Sequence, residues 1–192
     1  IVNKNYAESI EIVEKPEKTG KIFTDDEIKL FWEHSHEPEF RQLLILLYTG
    51  MRIGEMLDMN RDNIHLNEGY MIGGLKSEAG RNRVIPIHNQ ILPLVKEQLG
   101  DNKWLVQSVR GTARSYQVVY KKYNELFKKL GMDHKIHDTR KTCVSWLHTS
   151  GIPIETIRII IGHSGKGVTE QVYLYKEPKE LVDIINTINL QV

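Results

Sequence analysis

Residues 63–87 read NIHLNEGYMIGGLKSEAGRNRVIPI, and this stretch decides the fold class. Ile64, Tyr70, Ile72, Val84 and Ile85 stand among Asn, Gly and Ser, a pattern of short strands joined by turns. No other part of the chain is β-rich, and on both sides apolar residues return at helical intervals. Upstream, Thr24 and Glu27 form a capping-box pair ahead of Ile28, Leu30, Phe31 and Trp32, which predicts a helix stopping near Ser35. A strongly apolar helix is predicted from Pro38 to Tyr48, ended by Gly50, and a short one from Ile53 to Met59. Downstream, residues 89–99 return to helix, and Ser115 to Leu130 carries an apolar stripe at Val119, Tyr123, Leu126, Phe127 and Leu130. Asp138 is expected to cap a helix ending at Gly151, and Pro153 to open one that stops at Gly162. A last helix, Pro178 to about Asn189, is apolar at Leu181, Ile184, Ile185 and Ile188. The expected fold is mainly α with a small three-stranded antiparallel sheet, an α+β class.

Composition narrows the function classes. The chain has 192 residues, enough for one sizeable core. No apolar run approaches the roughly 20 residues that cross a bilayer, so no membrane partner is expected. With Cys143 as the single cysteine, an intramolecular disulfide and four-cysteine metal sites are excluded. A reducing, cytoplasmic setting is expected, with Cys143 an inert packed residue. The net charge of +1 is uninformative, but its distribution is not. Residues 1–50 hold 6 Lys/Arg against 10 Asp/Glu, and residues 101–150 hold 10 against 4. A basic segment of this kind is either a phosphate-facing surface or a solvated helix face.

Cleaving a phosphodiester requires fixed cations facing the non-bridging oxygens, a nucleophile, and an acid for the leaving oxygen. Arginine suits the first task because its planar fork holds two oxygens at once. Five places in the chain offer the parts. In Thr49-Gly50-Met51-Arg52-Ile53-Gly54-Glu55, Arg52 falls at the start of a helix, where anions are already favoured. Lys76 lies between two predicted strands, at a hairpin tip from which it can reach a substrate. His137-Asp138-Thr139-Arg140 puts His137 and Arg140 one helical turn apart. Gly162-His163 follows a buried helix, and Tyr173 comes ten residues after His163. Taken singly, each has an ordinary reading: a surface arginine, a solvated lysine, a capping histidine, a core tyrosine.

The ordered set resembles the tyrosine recombinase, or phage integrase, family. That family shows a Thr-Gly-x-Arg-x-x-Glu box, a hairpin lysine, His-x-x-Arg, Gly-His, and a tyrosine nine or ten residues later. The resemblance covers about residues 21–190. It implies a catalytic domain that cuts and rejoins DNA through a 3′-phosphotyrosine, with neither metal nor ATP. By position, Arg52 and Arg140 would clamp the scissile phosphate, Lys76 would protonate the leaving 5′-hydroxyl, and His137 would assist proton transfer with the nucleophile. His163 would bond a non-bridging oxygen, Tyr173 would attack, and Glu55 would buttress the arginine site. The nine-residue spacing would land on Val172, which cannot be a nucleophile, and Val168-Thr169-x-x-x-Tyr173 matches the ten-residue variant, so Tyr173 is preferred to the nearby Tyr175. Arg83 occupies the family's basic position before the apolar strand, which leaves Lys76 as the acid.

The resemblance further implies double-stranded DNA as partner and a tetramer of the full-length protein on it. Residues 1–20 read as an interdomain linker, 21–177 as the catalytic domain, and 178–192 as a C-terminal docking helix and tail that a neighbouring protomer receives in trans, or that folds back in cis in an isolated fragment. The chain begins with Ile1 and is expected to be a catalytic fragment of a longer protein. The ten-residue spacing and the Gly167-Val168-Thr169 run point to integrases of conjugative transposons and related phages. Chromosome-dimer resolvases are the alternative within the family. A type IB topoisomerase or an inactive DNA-binding relative are the alternatives outside it.

Overall fold

The computed structural model describes residues 21–74, 82–162 and 176–188. Lys76, His163, Tyr173 and Tyr175, and the expected linker at residues 1–20, lie outside the described residues. The helices are α1 (Asp25–Glu33), α2 (Pro38–Thr49), α3 (Ile53–Leu57), α4 (Leu92–Leu99), α5 (Tyr116–Lys129), α6 (Asp138–Thr149), α7 (Ile154–Ile161) and α8 (Pro178–Ile185). The strands are β1 (Ile64–His65), β2 (Tyr70–Gly73) and β3 (Arg83–Pro86). They form one antiparallel sheet in the order β1-β2-β3, with Ile64 opposite Met71 and Met71 opposite Ile85. Among the described residues, no helix is long and apolar enough to cross a membrane.

The centre of the molecule is α2, buried at every position from Phe40 to Thr49. A helix hydrophobic all round must be enclosed on all sides, and here α1, α4 and α6 surround it. Its polar residues find partners, as buried polar groups must. Gln42 accepts a bond of 2.8 Å from the Tyr123 hydroxyl, and Arg41 donates to the carbonyls of Ser35 and His36. The amphipathic α5 buries Val119, Tyr123 and Phe127, spaced by four, in the same core.

A second, smaller core holds Cys143, Leu147, Ile157, Ile160 and Ile161 with Leu181, Ile185 and Ile188. The sheet contributes to both cores. Met71 and Ile85 face the main one while Val84, on the opposite pleat, packs on the second. In this single chain α8 lies against β3, and Val182 approaches Gly69. Cys143 is buried, and burial pushes its thiol up to about 12, which leaves it unreactive.

Three local expectations need correction. Asp138 does not cap α6. It is the first helical residue, and its carboxylate accepts the Lys135 amide at 2.9 Å, closing the turn before the helix. The helix stops at Thr149, because Gly151 with φ 76° already belongs to the following turn. The last helix ends at Ile185 and not near Asn189, since Asn186 caps it and the chain turns so that Ile188 is buried outside helical geometry.

Candidate active site

The site begins at Gly50. This residue ends α2 in the left-handed conformation, φ 61° and ψ 14°, which glycine adopts without steric cost. A Cβ there would stand 3.0 Å from the Cys143 sulfur, so α6 is seated directly against the turn. The chain then runs through Met51 into Arg52, which is extended and immediately precedes α3. Glu55, one turn on, accepts the Arg52 amide at 2.6 Å and so fixes the turn. The Arg52 side chain remains 41% exposed and faces a cavity of about 630 Å³.

His137 lines the same cavity. It is the residue immediately before α6 and is only partly covered. Its pKa lies below the ordinary histidine value. Loss of solvent around the ring is the first cause, and the charges of Arg140, Lys141 and Arg52 follow. A neutral imidazole is the form able to take a proton.

Arg140 lies behind the cavity, 4% exposed. It donates to the Gly50 carbonyl at 2.7 Å and to the Ile161 carbonyl at the end of α7. Burial first, then the nearby Arg52 and Arg83, lower its pKa to about 10, so it stays charged at neutral pH. Arg140 thus ties together the turn that carries Arg52 and the end of the helix that precedes His163. The structure therefore brings Arg52 close to His137 and Arg140, although the first comes from the α2–α3 turn and the other two from the start of α6.

Two further features escaped the reading of the sequence. Arg83, which was noted only for its position, is buried and holds Glu55 through two bonds, at 3.3 and 2.9 Å. Burial alone would raise the Glu55 carboxyl, but Arg83 and then Arg52 bring it below the ordinary value. The cavity also has a wall nobody would pick from isolated residues: Arg114, Tyr116, Tyr120 and Lys135. The two tyrosine rings stack, with centroids 5.7 Å apart and planes 15° off parallel. Their spacing of four on α5 was a legible signal for mutual contact, but nothing in the sequence places α5 beside Arg52. The basic segment 101–150 is partly neutralised, since Lys122 pairs with Glu39 of α2 and Lys121 with Glu125 at 3.8 Å. Arg114 and Lys135, in contrast, face the cavity. No cluster of three or more His, Cys, Asp or Glu able to hold a metal ion occurs among the described residues.

Comparison with known proteins matches residues 21–180 to the family model described as the phage integrase family. Tyrosine recombinase XerA of Pyrococcus horikoshii is 25% identical over 197 residues, covering 96% of this chain and 67% of that protein. A XerC-like tyrosine recombinase of Caldanaerobacter subterraneus subsp. tengcongensis is 23% identical, covering 92% of this chain and 56% of its own length. The chain therefore spans roughly three fifths of the curated relatives it matches. Among solved structures, the Tn1549 transposon integrase in complex with a circular intermediate DNA superposes with a TM-score of 0.68 at 16% identity, covering 86% of this chain and 64% of that one. That likeness carries the fold: mainly helical, with the three-stranded sheet, as in tyrosine recombinase catalytic domains. With the family model spanning residues 21–180, and with Arg52 and His137 on one cavity and Arg140 buried behind it, the chain belongs to the phage integrase family.

Proposed function

We propose that this chain is the catalytic domain of a site-specific tyrosine recombinase that cuts and rejoins double-stranded DNA through a 3′-phosphotyrosine. The observation that carries the reading is the convergence of Arg52, His137 and Arg140, with the Gly50 turn and the end of α7 held by the same arginine. In the proposed reaction Arg52 and Arg140 stabilise the charge that builds on the phosphate oxygens. The Tyr173 oxygen attacks phosphorus and its proton passes to His137, which supplies the neutral imidazole. The P–O5′ bond breaks as Lys76 protonates the leaving oxygen, and His163 bonds a non-bridging oxygen. The bond energy is kept in the protein–DNA link, so rejoining runs the same steps in reverse and needs neither metal nor ATP.

As organisation we propose a linker at 1–20, a catalytic body at 21–177, and a C-terminal segment at 178–192. The longer protein would act in the cytoplasm as a tetramer on its DNA, each protomer passing the C-terminal helix to a neighbour. In support, Leu181, Ile185 and Ile188 bury an apolar face that a second copy could equally supply. The matched Xer recombinases and the transposon integrase keep both the resolvase and the mobile-element readings of the cellular role open to test. Incubation with duplexes carrying a nick next to the cleavage position traps the intermediate, because the released oligonucleotide diffuses away. A covalent adduct stable to denaturation supports the function. Its absence on every duplex cut by the full-length protein would sink it.

A further inference from the structure

We propose that Arg83 is a positioning residue for Arg52: it occupies the Glu55 carboxylate and so leaves the Arg52 guanidinium available to the cavity. This rests on the reading of that cavity as the phosphate site. Glu55 is a buried carboxylate, its side chain 4% exposed, between two arginines. A carboxylate in that setting must have a counterion. Arg83 meets the need with its fork, at 3.3 and 2.9 Å, whereas the nearest approach of the Arg52 guanidinium is a long 3.5 Å. The two arginines compete for one anion, and Arg83 holds it.

Arg83 is fixed in this role from two other sides. Its remaining terminal nitrogen donates to the Ile160 carbonyl near the end of α7. Gly162, with φ 64°, lies so closely on its aliphatic stem that a Cβ there would overlap Cδ. Arg140 feels the Glu55 charge, but both its terminal nitrogens are committed to carbonyls and it makes no bond to that carboxylate. If Arg83 lost its charge, the cation left beside Glu55 would be Arg52, three residues away on the same turn, with a side chain exposed enough to swing inward. The phosphate would then lose one of its two arginines while the fold stayed intact.

The test uses the full chain with Arg83→Met and the double variant Arg83→Met/Glu55→Gln, each checked by thermal melting and duplex binding. Cleavage of the nicked duplex is followed at saturating protein, and inorganic phosphate binding is titrated separately. Arg83→Met should slow cleavage on the order of a hundredfold, the scale of losing one transition-state donor, with duplex binding little changed. Removing the carboxylate as well should restore roughly tenfold or more, because Arg52 is no longer captured; the Gln oxygen still accepts the Arg52 amide. A purely structural role predicts no such rescue. Wild-type cleavage in Arg83→Met, or a double variant no faster than the single one, overturns the proposal. If Arg83→Met fails to fold, the double variant decides alone: more than about a tenth of the wild-type rate supports the proposal, and less, in a folded protein, overturns it. If wild type itself forms no adduct, the recombinase reading fails, and phosphate decides for Arg83. Weaker phosphate binding in the single variant, restored in the double, supports it; equal binding in all three overturns it.

Discussion

Gly50→Ala isolates the turn on which the site is built. Two penalties fall on the added methyl. The first is conformational, since an L-residue at φ 61° costs about 1–2 kcal/mol. The second is steric, because the Cβ would stand 3.0 Å from the Cys143 sulfur and 3.4 Å from its Cβ. Cys143 is buried in α6, which packs on α2, so it has little room to yield, and overpacking of this kind costs about 1–3 kcal/mol. The variant should therefore lose about 2–5 kcal/mol, read as a lower urea midpoint with an unchanged slope. Cys143→Ala removes the obstructing sulfur but not the backbone strain. In that background Gly50→Ala should cost only the conformational part, about 1–2 kcal/mol. The difference between the two backgrounds must exceed the roughly 0.5 kcal/mol within which independent sites add. An equal cost in both backgrounds would refute the steric argument, and a cost below about 1 kcal/mol in the wild-type background would refute both parts. Because the Gly50 carbonyl accepts from Arg140, cleavage should also fall in Gly50→Ala even where the protein remains folded.

Tyr173→Phe should abolish the covalent adduct while leaving duplex binding nearly unchanged, and Tyr175→Phe should retain the adduct; a surviving adduct in the first variant ends the assignment of the nucleophile. His137 is held below the ordinary histidine pKa, so it stays neutral to lower pH than a solvated imidazole, and the acid limb of the cleavage rate should sit below about pH 6.5. His137→Gln should flatten that limb, and an unchanged profile would remove His137 from the proton transfer. DNA affinity should be modest and fall steeply with salt, through cavity-side cations such as Arg114 and Lys135; a measured slope near zero would contradict phosphate-led binding.

The elements themselves were legible because they are local. The Thr24–Glu27 pair predicted the start of α1, and the structure shows both reciprocal bonds, 2.8 and 3.3 Å. The mixed pattern of 63–87 predicted three short strands, and the register pairs Met71 with both Ile64 and Ile85. Ends were less legible. A carboxylate before a helix reads as a cap, yet Asp138 bonds backward to Lys135, a choice set by how the preceding turn packs.

Legible in the order of residues alone were the family and the run of helices and short strands, with Arg52 and His137 each falling just ahead of a helix. That follows from periodicity, turn chemistry and side-chain type, all properties of near neighbours. Which charges are available follows from how the segments pack together. Arg52 and Arg83 are chemically identical in the sequence, 31 residues apart (83 − 52). One is 41% exposed on a cavity and the other is buried on Glu55, because Arg83 opens β3, against which α7 packs, and Arg52 does not. A guanidinium's use depends on which anion or carbonyl reaches it first, and that is settled by contacts between segments far apart in the chain.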